Sequence, residues 1–74
     1  MPGLNAADVE DIFSYHTPND DQVKKYKEIR GAARILAHTI ITETPSCPDQ
    51  TVAIRKLREC VMVANAAIAL NGKY

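Results

Sequence analysis

The sequence predicts an all-α protein: a short N-terminal helix, then a long antiparallel helical hairpin, assembled into a homo-oligomer. Three observations carry this. Apolar residues recur at three- and four-residue spacing through two long segments, about 18–43 and about 48–71. Each segment opens on a proline-bearing start signal, and the link between them is short, which makes the two helices antiparallel neighbours. The second half of the last segment, Val61 to Leu70, is apolar nearly all round. One partner helix cannot cover such a perimeter, so other copies of the chain are expected to do so.

Residues 1–4 read as frayed. Asn5 caps a first helix over about 6–13, with Asp8 favourable in its first turn and Val9, Ile12 and Phe13 on one face. Ser14–Tyr15–His16 is a connector. In Thr17–Pro18–Asn19–Asp20, Thr17 is expected to cap the second helix, Pro18 to take its first position, and Asp20 and Asp21 to favour its positive end. Val23, Tyr26, Ala33, Ala37 and Ile40 form its stripe, flanked by Ile29 and Leu36. Gly31 sits inside this helix at a cost of about 1 kcal/mol relative to alanine. Close approach of another backbone and simple tolerance both explain it. Ser46 or Cys47 caps the third helix, Pro48 opens it and Asp49 supports it. Ile54, Leu57, Val61, Ala64 and Ile68 make its stripe, and Asn71–Gly72 stops it.

The chain has 74 residues, enough for one domain, 1–74, with a small core that oligomerisation is expected to supplement. Two cysteines and two histidines are too few for a structural zinc site. Cys47 and Cys60 fall roughly 18–20 Å apart along one helix, beyond the reach of a disulfide. No signal peptide or membrane span is visible, which points to the cytosol and reduced thiols. Nine basic residues balance nine acidic ones, which argues against a DNA- or RNA-polymer binder.

Catalytic constellations do not emerge. There is no phosphate-cradling glycine loop, nucleophile elbow or metal-ligand spacing, so the chain reads as a binding protein, not an enzyme, without metal or cofactor. Asp8, Glu10 and Asp11 are expected to form a solvated acidic face rather than an acid–base pair. Cys60 is expected in the core, His38 on the surface and His16 in a structural or solvated role.

The basic residues of the second helix are more informative. At about 100° per residue, Arg30 lies about 40° from Tyr26, and Lys27 and Arg34 about 80–100° from it. An arginine bordering an apolar stripe takes an anion, either a phosphate or the carboxylate of a neighbour. Tyr15, on a loop before a helix start, could stack on a planar ligand or pack over the hairpin end.

Taken together, Asp11–Ile12–Phe13–Ser14–Tyr15–His16–Thr17–Pro18, then Gln22, Tyr26, Ile29–Arg30, Ala53–Ile54–Arg55–Lys56–Leu57 and Val61 through Ala69 resemble the phage anti-CBASS type 2 hairpin family. CBASS is a bacterial antiphage system that signals with cyclic oligonucleotides. The resemblance spans about residues 11–71. It implies a non-catalytic, hexameric sponge that sequesters cyclic dinucleotides such as cyclic GMP–AMP; binding of cyclic trinucleotides stays open. The related Thoeris anti-defence type 1 family shares the hairpin and sequesters cyclic ADP-ribose isomers. In the anti-CBASS family a connector aromatic stacks on a base, and a basic residue fifteen positions later, usually lysine, pairs with phosphate. Tyr15 and Arg30 match these positions, and Lys27 is added from helix geometry alone. Pro18 and Arg30 are about 18 Å apart along the helix, while a cyclic dinucleotide is on the order of 10 Å across. A pocket using both Tyr15 and Arg30 is therefore expected to be shared between chains. A purely structural helical oligomer or protein-interaction module is the competing reading.

Overall fold

The computed structural model describes residues 3–74. Among them are three helices and no strand: α1 (Ala6–Ile12), α2 (Asp20–Glu43) and α3 (Pro48–Ala69). The fraying expected of residues 1–4 lies partly outside the described residues, as does the start of the expected 1–74 domain; Gly3 and Leu4 have no regular structure.

α1 begins at the expected cap. The Asn5 side chain accepts from the Asp8 backbone N–H at 2.9 Å, and Asp8 accepts in return from the Asn5 N–H at 3.0 Å. Two of the four orphan donors of the first turn are thereby satisfied. The helix ends at Ile12, one residue earlier than expected, with Phe13 as its C-cap.

The start of α2 corrects the sequence reading. Asn19, not Thr17, is the N-cap: its side chain accepts from Gln22 N–H at 2.8 Å, and Gln22 returns the bond at 3.1 Å. Pro18 therefore precedes the cap instead of opening the helix. The reciprocal pair satisfies two donors at once, and this outweighs proline's preference for the first helical position.

α3 starts as expected, with Cys47 at the N-cap and Pro48 in the first turn, although the thiol makes no capping bond. It ends at Ala69 rather than 71. Gly72 N–H donates to the Ala67 carbonyl at 3.0 Å and Asn71 N–H to Ile68 at 3.2 Å. This is a Schellman stop, with Asn71 at φ 54° and Gly72 at φ 72°.

The two long helices pack along one seam. Val23, Tyr26, Ile29, Ala33, Ala37 and Ile40 of α2 face Ile54, Leu57, Val61, Ala64 and Ile68 of α3, and all are half-buried. These are the expected stripes, except that Leu36 is exposed. A glutamine pins each end. Gln22 Nε2 donates to the Ile68 carbonyl at 3.1 Å, and Gln50 Nε2 to the Thr44 carbonyl at 3.1 Å and hydroxyl at 3.0 Å. No described residue is fully buried. Met62 is 63 % and Val63 65 % exposed on the outer side of α3, the region expected to be apolar all round. The apolar face of α1 is also largely open, with Phe13 83 % exposed.

The position of the α2 cap has a direct test in thermal or denaturant unfolding. Asn19→Ala should destabilise by about 1 kcal/mol, the usual worth of a cap. Thr17→Ala should be near neutral, since Thr17 is exposed and has no capping bond. The reverse ranking would restore Thr17 as the cap.

Candidate functional site

Three residues were expected to matter: Tyr15, Lys27 and Arg30. The structure separates them into two groups. Lys27, Arg30 and Arg34 follow one another along α2 at helical spacing and, with Gly31, line one shallow depression of about 210 Å³. Gly31 leaves its floor open: a Cβ built there meets nothing within 4 Å. No neighbouring backbone of the same chain approaches it, so within the chain Gly31 is a tolerated glycine.

Arg30 and Arg34 also border a larger groove of about 310 Å³ along the seam. Ala33, Ala37, Ile54, Leu57 and Val61 floor it, and Arg58 reaches it from α3. Sequence reasoning missed Arg58; its spacing of one turn from Ile54 and from Met62 was a usable signal. Among the described residues no carboxylate lies within 4.0 Å of Lys27, Arg30, Arg34 or Arg58, while Lys25 is paired with Asp21 at 3.1 Å. A salt bridge within the chain therefore does not account for Arg30. On the opposite flank of the seam, Ile29, Ala32, Leu36, Cys60 and Ala64 edge a second groove of about 260 Å³. Cys60, expected in the core, is exposed there because one hairpin has no core to receive it.

Tyr15 stands apart. Its ring is 84 % exposed and does not pack over the hairpin end. It lines neither basic depression, and Arg30 lies about 15 Å further along α2 from the helix start. Its neighbour His16 is half-buried in the expected structural role, with Nε2 2.7 Å from the Asp11 carbonyl and 3.7 Å from its carboxylate.

Asp11 is also the centre of a cluster that corrects the reading of the acidic face as merely solvated. Lys73 Nζ donates to its carboxylate at 3.3 Å and the Tyr74 hydroxyl at 3.1 Å; Tyr74 also reaches Asp8 at 3.4 Å. No sequence signal pointed to Lys73 or Tyr74, which lie more than sixty residues away along the chain. The Lys73 bond, then that of Tyr74, holds the Asp11 carboxyl below its ordinary value despite an opposing push from desolvation. Desolvation first, then the bond to Asp11 and the nearby negative charge, pushes the Tyr74 phenol up to about 12.

A family model described as "Acb2/Tad1, hairpin domain" matches residues 5–69. The chain belongs to the Acb2/Tad1 hairpin family. This is a family of anti-defence proteins and not a known enzyme family. The match takes in α1, the connector, α2 and all of α3, so Tyr15, Lys27 and Arg30 lie within the family's domain, whereas Lys73 and Tyr74 lie beyond it. No curated protein and no solved structure matches the chain. Among the described residues no helix is long and apolar enough to cross a membrane, and no group of three or more potential metal ligands occurs.

The Asp11–Tyr74 contact has two pH limits. Asp11 has a lowered folded pKa, so its contribution is complete above its ordinary value of 3.8 and is lost as pH falls through the folded value. Tyr74 has a raised one, so its contribution is complete below 10 and is lost as pH rises through about 12. Subtracting the alkaline absorbance titration of Tyr74→Phe from that of the native chain should leave a phenolate transition near 12. A difference transition at the ordinary 10 would mean that the contact is not formed.

Proposed function

We propose that this chain is a phage-encoded, non-catalytic sponge for cyclic dinucleotides such as cyclic GMP–AMP. It would act in the cytoplasm of an infected bacterial host and block CBASS defence by sequestering the signal. The observation that carries the reading is the Lys27–Arg30–Arg34 row around Gly31: three cations without a carboxylate partner among the described residues, on a protein of zero formal net charge. Such a row suits phosphate, and Arg30 can engage two phosphate oxygens at once. Tyr15 supplies the stacking surface. Its distance from Arg30 supports a pocket shared between chains.

The working form in this reading is a homo-oligomer, the hexamer that the anti-CBASS resemblance implies. The two grooves flanking the seam support this. One has three arginines on its rim and the other is edged by apolar residues and Cys60, so they differ in chemistry and favour two different interfaces. Two distinct interfaces build assemblies beyond a dimer. The family description also joins the Tad1 relatives, so cyclic ADP-ribose-type signals are the second ligand class to test. Cyclic trinucleotides are a third arm of the same screen. A structural oligomer without a ligand is the remaining alternative. A thermal-shift screen separates these readings, since a ligand at 100 times its Kd adds about 2.7 kcal/mol.

Titration calorimetry with cyclic GMP–AMP tests the residues. Arg30→Ala should weaken binding by roughly 2–5 kcal/mol, much of it from an unpaired phosphate. Arg30→Lys should retain part of the affinity because only the fork is lost. Tyr15→Ala should cost about 1–3 kcal/mol, and Tyr15→Phe little. Normal binding by Arg30→Ala would move phosphate recognition to Lys27 or Arg34; dissociation of the oligomer instead would favour the structural reading. Ligand recovered after protease digestion should be intact, and linear dinucleotide accumulating with time would refute a sponge. Light scattering at micromolar concentration should give several times the 8.2 kDa chain mass. Ala67→Glu should break the assembly, because an unpaired buried charge costs several kcal/mol.

A further inference from the structure

The strongest unassigned feature is the segment that follows α3. α1 has 7 residues, too few for a helix to persist alone, and it has no close backbone packing against α2 or α3. Every side-chain hydrogen bond from α1 to a residue beyond the connector goes to Lys73 or Tyr74. Those two residues arrive there because the stop of α3 uses two consecutive left-handed residues, Asn71 and Gly72, which turn the chain out of the helix axis. The connector is tied to the same point, since His16 bonds the backbone of Asp11. The Tyr15 ring has no packing of its own to fix it.

We infer that the Asn71–Gly72 turn and the Lys73–Tyr74 pair it delivers onto Asp8 and Asp11 form a latch that sets the position of the Tyr15 connector, which makes Asp11 and Tyr74 positioning residues for ligand stacking. The inference rests on the proposed role of Tyr15. Its two halves fall on either side of the family boundary: Asp8 and Asp11 lie within the matched span of residues 5–69, and Lys73 and Tyr74 lie beyond it. The latch acts by pre-organisation. A ring already held near its stacking position loses less freedom when the ligand arrives.

The test is a set of double-mutant cycles read by calorimetry with cyclic GMP–AMP, with size exclusion alongside. Tyr74→Phe, which keeps the ring and removes one hydroxyl, and Asp11→Ala should each weaken binding several-fold, and neither by more than Tyr15→Ala does. In a Tyr15→Ala background they should have no further effect, while in an Arg30→Ala background their effect should persist in full. A merely structural role would act in both backgrounds alike, and that outcome overturns the inference. Native affinity in Tyr74→Phe and Asp11→Ala, with Tyr15→Ala weakened, overturns it too but leaves the sponge reading standing. Native affinity in Tyr15→Ala removes the stacking role, and the latch proposal falls with it. Without ligand, amide hydrogen exchange across residues 5–17 should accelerate in Tyr74→Phe; unchanged exchange would show that the latch restrains nothing.

Discussion

The rest of the structure depends on the single seam between α2 and α3. Two helices can cover each other on one side only, so the best-covered residues, such as Tyr26, Leu57 and Val61, are half-buried. Each buried apolar square ångström is worth about 25 cal/mol. A seam that leaves every contact partly wet collects only a fraction of what a closed core would. The helices compensate locally. One reciprocal capping box on α2, a Schellman stop on α3 and two glutamine pins hold the hairpin at its ends.

Basic side chains are distributed along the same seam. Helical periodicity turns the α2 apolar stripe toward α3 and leaves Lys27, Arg30 and Arg34 along one border. Arg30 belongs to both the basic depression and the seam groove. Its aliphatic stem can lie along apolar floor while its guanidinium stays free for an anion. Packing and charge at this residue are therefore coupled, and an anion bound there would bear on the groove beside it.

How much of this was legible in the sequence follows from the range of each interaction. The three helices, both stripes of the seam, the Asn5 cap, Pro48 and the Asn71–Gly72 stop rest on neighbours within about one turn, and the residues state them directly. The α2 start was misread because two valid signals overlap in Thr17–Pro18–Asn19–Asp20, and only geometry shows that Gln22 closes a box with Asn19. Cys60 was misplaced because a pattern that marks a core helix looks the same when the covering partner is absent from the chain. The basic row was legible from helical angles, and its lack of carboxylate partners among the described residues only from the folded chain. Lys73 and Tyr74 were illegible because no local rule links them to Asp11.

That distant contact has an entropic side. Measured along the sequence, joining Asp11 to Lys73 closes a loop of nearly the whole chain. Once the hairpin has formed, Gln22 and Ile68 are already neighbours, and the loop left to close is only Asp11 to Gln22 together with Ile68 to Lys73. Closure entropy follows the logarithm of the remaining length, so the hairpin itself lowers the cost of docking α1. Docking of α1 is thus entropically cheaper after the hairpin has formed than before it. Its reversal is a local opening that leaves the seam's own contacts in place, because α1 has no close backbone packing against α2 or α3.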